Sequence, residues 1–393
     1  MAAVEHTRPK APLLYNPQVR SIAYQVVLCA VIVFLAWSAI HNAAENLARA
    51  KIASGFGFWE NTAGFDISQT LIEYQATSTY GRAFWVGLTN TLLVAGIGIV
   101  LATILGFLIG IARLSKNWLL ARMAGFYVET IRNIPLLLQL LFWYNAVLKA
   151  LPGTRESLAI PGGGFLNNRG LFLPQPVFGP AARFALMALV LGVVAAIGYR
   201  IWARRRQMRT GQQAPVLWVS LGLVIALPLA VLALSGFPVS FNFPEAGRFN
   251  MRGGIEVLPE FMALLFGLVI YTAAFIAEVV RAGIRSVSKG QTEAAYSLGL
   301  RPGPTLRLVV IPQAMRVIIP PLTSQYLNLT KNSTLAVAIG YPDLVQIFAG
   351  TVLNQTGQAV EVIVITMAVY LTISLVTSAL MNLYNRRMAL VER

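Results

Sequence analysis

Residues 258–302 read LPEFMALLFGLVIYTAAFIAEVVRAGIRSVSKGQTEAAYSLGLRP, and two unlike segments meet in that stretch. The first, 258–280, is a run of apolar residues interrupted by Glu260 and Glu278. A helix needs about 20 mostly apolar residues to cross the hydrocarbon core of a bilayer, so this run predicts a membrane span. The second, 288–302, is polar. Ser288 and Gln291 have the spacing of a capping box, Gly299 suits the left-handed position just past a helix end, and Pro302 prevents continuation. A helix of about three turns is expected there, standing in water between two spans. Long apolar runs joined by such a segment predict an all-α, polytopic membrane helix bundle.

The composition carries the same message along the whole chain. Of 393 residues, 56% are hydrophobic and 12% charged, whereas a soluble domain has about a quarter of its residues charged. An ordinary water-soluble enzyme is excluded, and so is a disordered chain. A net charge of +16 can signal nucleic acid, but here the charges are sparse and the apolar runs long, so no nucleic-acid partner is expected. The single cysteine, Cys29, rules out intrachain disulfides and a thiolate metal cage. No metal site is expected.

Further spans are predicted at 21–40, 84–112, 125–149, 184–203, 216–236 and 360–383. The eighth, at 312–330, contains Pro320, Pro321, Gln325 and Asn328. The run at 21–40 is too long for a signal-peptide core and is read as a retained anchor. Eight spans put both termini on one side of the bilayer. Nineteen of the 31 basic residues then fall on that side, among them Arg8, Lys10, Arg113, Arg122, Arg204, Arg285 and Arg393, against ten on the other. The Lys/Arg excess marks the cytoplasmic face, so both termini are expected inside. With Glu5, Glu293 and Glu392 the only acidic residues on that side, it carries the whole net +16. The outer segments 41–83, 150–183 and 237–257 are rich in Gly and Pro and read as long loops. The expected organisation is an anchor span with a periplasmic loop at 1–83, then a transmembrane domain at 84–393. Its core is 84–150 and 258–390, with a two-span insertion at 151–257.

Three motifs narrow the reading. Glu293-Ala294-Ala295, followed by Gly299 and then Ile311-Pro312, resembles the EAA loop of the permease subunits of binding-protein-dependent ABC importers. Glu129, Arg132, Pro135, Leu137 and Gln139 resemble the E-x-x-R-x-x-P-x-L-x-Q segment of polar-amino-acid permeases. Tyr271 to Gly283, Pro312-Gln313-Ala314 and Lys331-Asn332-Ser333-Thr334-Leu335 are similar to the surroundings of their EAA loop. The resemblance covers 84–150 and 258–390. The enlarged form, with its first span and its pair at 184–236, is similar to a permease of the general L-amino-acid importers of Gram-negative bacteria.

That resemblance implies a type I ABC importer permease fold in the bacterial inner membrane, moving L-amino acids from periplasm to cytoplasm. It implies a second related permease, ABC ATPase subunits and a periplasmic amino-acid-binding protein as partners. The helix carrying Gly290, Glu293, Ala294, Ala295 and Gly299 would be the one that docks in the ATPase. In agreement, none of the six lysines follows a glycine, so the chain has no P-loop. ATP and Mg would be bound by the partner ATPase, and the chain itself would be a transport subunit with no enzymatic site or cofactor of its own.

Ionisable residues inside spans are costly and mark candidate sites. Glu129 with Arg132, and Glu278 with Arg281, lie three apart on one helix face. Each pair reads either as a local ion pair or as a receiver for an amino acid's charged ends. Asn90, Gln139, Tyr144 and Tyr271 are polar groups able to face a cavity. Pro320-Pro321 predicts a break in its helix, around which Gln325, Asn328 and neighbouring hydroxyls would line a path. Gly106-x-x-x-Gly110 permits close helix contact and points to a dimer interface. An ion-coupled secondary transporter is the alternative; it calls for repeats and midplane ion sites, which the sequence does not display.

Overall fold

The computed structural model describes residues 17–49, 54–247 and 250–388. Both chain ends lie outside the described residues, and with them Arg8, Lys10, Arg393, Glu5 and Glu392 of the charge reading, as do Lys51 and Arg248. Seven helices are long and apolar enough to cross a membrane, and a bent pair makes an eighth. The protein is a multi-pass membrane protein.

The helices follow in order as α1 (Pro17–Arg49), α2 (Tyr80–Ala112), α3 (Trp118–Asn133), α4 (Leu136–Leu141), α5 (Ala182–Thr210), α6 (Val216–Leu221) and α7 (Leu227–Leu234). Then come α8 (Pro259–Arg285), α9 (Lys289–Ser297), α10 (Pro302–Thr305), α11 (Ile311–Asn332), α12 (Leu353–Thr356) and α13 (Ala359–Met388). π-helical stretches extend α4 through Leu148, link α6 to α7, and link α10 to α11. The chain divides into two compact units, Met1–Thr91 with Pro342–Val376, and Leu92–Tyr341 with Thr377–Arg393.

In the first unit, no residue in the apolar window of α1 is buried, as suits a helix whose solvent is lipid. The core gathers Phe58, Tyr80, Phe84, Leu344, Ile347 and Phe348, with Trp59, Phe84 and Phe348 meeting at ring-centroid distances of 5.1–5.9 Å. Such aromatic contacts favour tilted and edge-on geometry. Asn90 is fully buried and hydrogen-bonded. Its amide donates to the carbonyls of Gln69 and Pro342 at 2.9 and 2.8 Å. Beside it the Thr91 hydroxyl accepts from the Leu344 N–H. Asp343, fully buried in the connection between two spans, accepts from the Gln346 N–H at 2.8 Å and from the Tyr370 hydroxyl at 3.3 Å. Burial outweighs those bonds and pushes its carboxyl up to about 7.

The second unit is organised on α8, whose Ala263, Leu264, Leu268, Ala273, Ala274, Ile276, Ala277 and Val280 are fully buried. The small residues let three elements approach closely. A Cβ at Gly106 would stand 2.6 Å from Ile276 Cβ, and one at Gly110 would stand 2.8 Å from the Ala277 carbonyl. The Gly106-x-x-x-Gly110 pair is thus used within the chain, between α2 and α8, and not as the expected dimer contact. Gly283 makes similar room for Ile318 of α11.

Three expectations are corrected here. The span at 125–149 is two helices, α3 and α4, bent by 104°. Pro135 forces the preceding Ile134 into an extended conformation, φ −96°, ψ 127°. The Gln139 amide then donates to the Ile131 and Ile134 carbonyls at 2.9 and 3.0 Å, groups that the bend would leave unsatisfied. Next, Pro320-Pro321 does not break α11, which runs unbroken from Ile311 to Asn332. The φ that the proline ring fixes is itself helical, although each ring removes one backbone donor and crowds the carbonyl four residues earlier. Last, 150–183 and 237–257 are not simple loops. They form a four-stranded antiparallel sheet from β1 (Leu158–Ile160), β2 (Gly164–Asn167), β3 (Gly170–Leu173) and β8 (Ile255–Val257), in the order β1-β2-β3-β8. Two smaller ladders pair β4 (Gln175–Phe178) with β5 (Val239–Asn242) and β6 (Glu245–Ala246) with β7 (Met251–Arg252). The segments before and after the α5–α7 hairpin thereby close on one another, with Leu171 opposite Val257.

Candidate functional site

Within the second unit, α8 and α11 line an open cavity of about 310 Å³ formed by Tyr271, Thr272, Phe275, Gln325, Asn328 and Asn332. The spacings explain the lining. Positions 271 and 275 stack on one face of α8, while 325, 328 and 332 fall along one stripe of α11. Tyr271, Gln325 and Asn328, picked out singly from the sequence, are here brought together. Thr272, Phe275 and Asn332 are not among the residues expected from the sequence; Phe275 lies four after Tyr271, and Asn332 four and seven after Asn328 and Gln325, whereas no such offset points to Thr272. Tyr271 and Phe275 have ring centroids 4.9 Å apart.

None of the cavity's lining residues is ionised. Among the described residues no side-chain hydrogen bond engages Gln325, Asn328 or Asn332, whereas Thr323 and Thr330 bond back to the carbonyls of Ile319 and Tyr326. Free amides at membrane depth call for water, a ligand or another polypeptide as partner. An amide offers both a donor and an acceptor, and an aromatic face attracts a cation. Such a lining can meet a carboxylate and an ammonium in one molecule without a net charge of its own.

A second cluster lies where α2, α3 and α8 meet. Glu278 accepts hydrogen bonds from both Arg113 and Arg281, and the guanidinium of Arg132 stands 3.9 Å away. Arg132 also lies over the Phe275 ring, 5.0 Å from its centroid. The expected local pair of Glu278 and Arg281 therefore exists, but the Glu129–Arg132 pair does not. Arg132 points across to α8, and Glu129 has no ion-pair partner among the described residues. Phe275 belongs to both the cluster and the cavity wall. Gln139 is occupied at the α3–α4 bend, and Tyr144 donates to Glu260 at 2.6 Å.

The third site residue group is α9. Its C-terminus has the expected geometry: Gly299 has φ +77°, its N–H reaches the Tyr296 carbonyl, and the Leu300 N–H reaches that of Ala295. These are the two bonds of a Schellman motif. The capping box is not formed. The Ser288 side chain makes no cap bond, and the Gln291 side chain accepts from Gln313 at 3.2 Å, tying α9 to α11. Of the two alanines in α9, Ala295 is buried and Ala294 exposed. Glu293, Tyr296 and Leu298 are exposed as well, Leu298 to 82%. A Cβ at Gly290 would meet nothing within 4 Å.

Comparison with known proteins identifies relatives along nearly the whole chain. Residues 205–390 match the family described as binding-protein-dependent transport system inner membrane component. The chain is 54% identical over 380 residues to the general L-amino acid transport system permease protein AapQ of Rhizobium johnstonii, covering 97% of this chain and 95% of that one. It is 52% identical to the putative amino-acid ABC transporter permease protein YhdX of Escherichia coli K12, covering 96% of each. With the glutamate/glutamine/aspartate/asparagine transport system permease protein BztB of Rhodobacter capsulatus it shares 43% identity, over 97% and 96%. The chain belongs to the binding-protein-dependent inner membrane components, as a permease of the amino-acid ABC transporters.

Proposed function

We propose that this permease conducts L-amino acids inward through the α8–α11 cavity, and that α9 receives the stroke of a separate ATPase. The ion-coupled alternative is set aside by the family membership. The observation that carries the coupling role is the surface of α9. A water-exposed helix of nine residues, ended by a Schellman turn, presents Glu293, Ala294, Tyr296 and Leu298 outward while Ala295 anchors it to the chain. An exposed leucine beside an acidic side chain suits a partner groove with a basic rim. The open space around Gly290 leaves room for close approach at the helix start.

In this reading ATP and Mg are held by the ATPase subunits, and a second related permease completes the pathway. A periplasmic binding protein delivers the amino acid. The basic excess supports a cytoplasmic position for α9 and both termini. The neutral lining of amides, a hydroxyl and aromatic rings suits the common zwitterionic part of many amino acids. Closure of the ATPase would move α9 and, through the Gln291–Gln313 bond, α11. Replacing Glu293 with Lys reverses the charge at the docking surface. The expected result in the reconstituted complex is ATP hydrolysis that no longer drives uptake; unchanged uptake together with unchanged assembly would overturn the coupling role.

A further inference from the structure

Beside the Glu278 cluster is a separate cavity of about 260 Å³, lined by Arg113, Arg122, Phe126, Glu129, Arg281 and Arg285 together with two small residues of α3. Four guanidiniums and one carboxylate face it. Glu278, behind the wall, is already shared by Arg113 and Arg281. Among the described residues Arg122 and Arg285 have no carboxylate within ion-pair distance. The site therefore holds an uncompensated positive charge, and like charges so gathered repel unless an anion joins them.

The position of the cavity names the anion. Arg113 follows the end of α2, and Arg281 and Arg285 occupy the last turns of α8, so the arginines stand where two apolar spans leave the hydrocarbon. On α3, Trp118, Arg122, Phe126 and Glu129 follow at offsets of four, four and three and share one face. Trp118 and Phe126 are 75% and 71% exposed. An indole anchors at the headgroup level, and a phenyl ring on the same helix face buries at the headgroup/acyl boundary.

We propose that this cavity binds the phosphate of an anionic phospholipid, with the arginines holding the headgroup and Trp118 and Phe126 resting on its acyl chains. A phosphate accepts bidentate bonds from guanidiniums that approach from three different helices. The bound headgroup would pin α3 to α2 and α8. Free inorganic phosphate has the same oxygen chemistry but no acyl chain for the aromatic edge.

The test uses the full chain in its assembled complex, delipidated and titrated with phosphatidylglycerol, with phosphatidylcholine, or with inorganic phosphate. Retention is read by native mass spectrometry and thermal stability by the unfolding midpoint. Phosphatidylglycerol should be retained and should raise the midpoint, while phosphatidylcholine and inorganic phosphate should do neither. Near a membrane surface each basic residue is worth about a five-fold change in affinity, so Arg122→Gln with Arg285→Gln should weaken retention by roughly 25-fold. Both residues are exposed, and Arg122→Lys with Arg285→Lys keeps the charge as a folding control and should retain the lipid. Glu129→Gln should tighten it. Equal retention of both lipids, an equal effect of inorganic phosphate, or undiminished retention in the glutamine variant would overturn the assignment.

Discussion

Replacing Glu278 with glutamine keeps the shape of the side chain and removes its charge, leaving Arg113, Arg132 and Arg281 converging on a neutral amide. One carboxylate–guanidinium contact at about 4 Å is worth ~1 kcal/mol in water and ~4 kcal/mol at the effective dielectric near a protein surface. The four side chains are 15–39% exposed, which places each contact toward the lower part of that range. Removing one partner of a buried ion pair costs about 3–5 kcal/mol. With partial exposure, and with the glutamine oxygen still accepting one bond, the expected loss is about 3 kcal/mol. For a chain of 393 residues that lowers the unfolding midpoint by about 3–4 °C. The assay is thermal unfolding of the assembled complex in lipid nanodiscs. Adding Arg113→Gln to Glu278→Gln removes the stranded charge that follows α2 and should recover part of the loss, a coupling that the double-mutant cycle measures directly. A midpoint within about 1 °C of the parent in a correctly assembled complex, or strict additivity of the two changes, would refute the view that Glu278 joins α2, α3 and α8.

Gly106→Val puts side-chain atoms where Ile276 Cβ would be 2.6 Å from the new Cβ; overpacking should cost about 1–3 kcal/mol, seen as a lower midpoint, while an unchanged midpoint would show that α2 and α8 are not in contact there. Asp343 titrates near 7 when folded and near 3.8 when unfolded, so the unfolded chain loses its proton first as pH rises. Its contribution is fully present below pH ~4, is lost progressively up to pH ~7, and amounts to roughly 4 kcal/mol at most. Asp343→Asn should flatten that part of the stability–pH curve, and a curve that keeps its slope would show that the group titrates normally. Asn328→Leu removes a free amide from the cavity. A lost hydrogen bond to a charged group is worth about 1.5–3 kcal/mol, so substrate affinity within the permease should fall roughly tenfold or more with assembly intact; unaltered uptake at limiting substrate would remove Asn328 from the path.

Much of the architecture was legible along the chain because the bilayer imposes a one-dimensional rule. A span must be long and apolar wherever it sits, so α2, α5, α8 and α13 stand out from composition alone. The end of α9 was legible for a local reason too, since only glycine takes φ +77° without strain and Gly299 does. The start of α9 was not, because Gln291 had a competing partner, Gln313, on another helix. The same holds for Arg132. Sequence spacing offered Glu129 three residues away, and the fold supplied Glu278 on α8.

The amino-acid sequence by itself determined that the protein lies in a membrane, how many apolar elements it has, where the water-exposed helix falls, and, through its motifs, the family. Those follow from hydropathy, charge and backbone stereochemistry, which act over one element at a time. Tertiary structure alone decided that 125–149 bends by 104°, that segments some 80 residues apart close into one sheet, and that Gly106 and Gly110 serve α8 and not a second chain. It also decided that Tyr271, Gln325 and Asn328 share a cavity while Glu129 and Glu278 do not. Pairings of that kind are choices among many partners of similar chemistry, and only packing in three dimensions selects one.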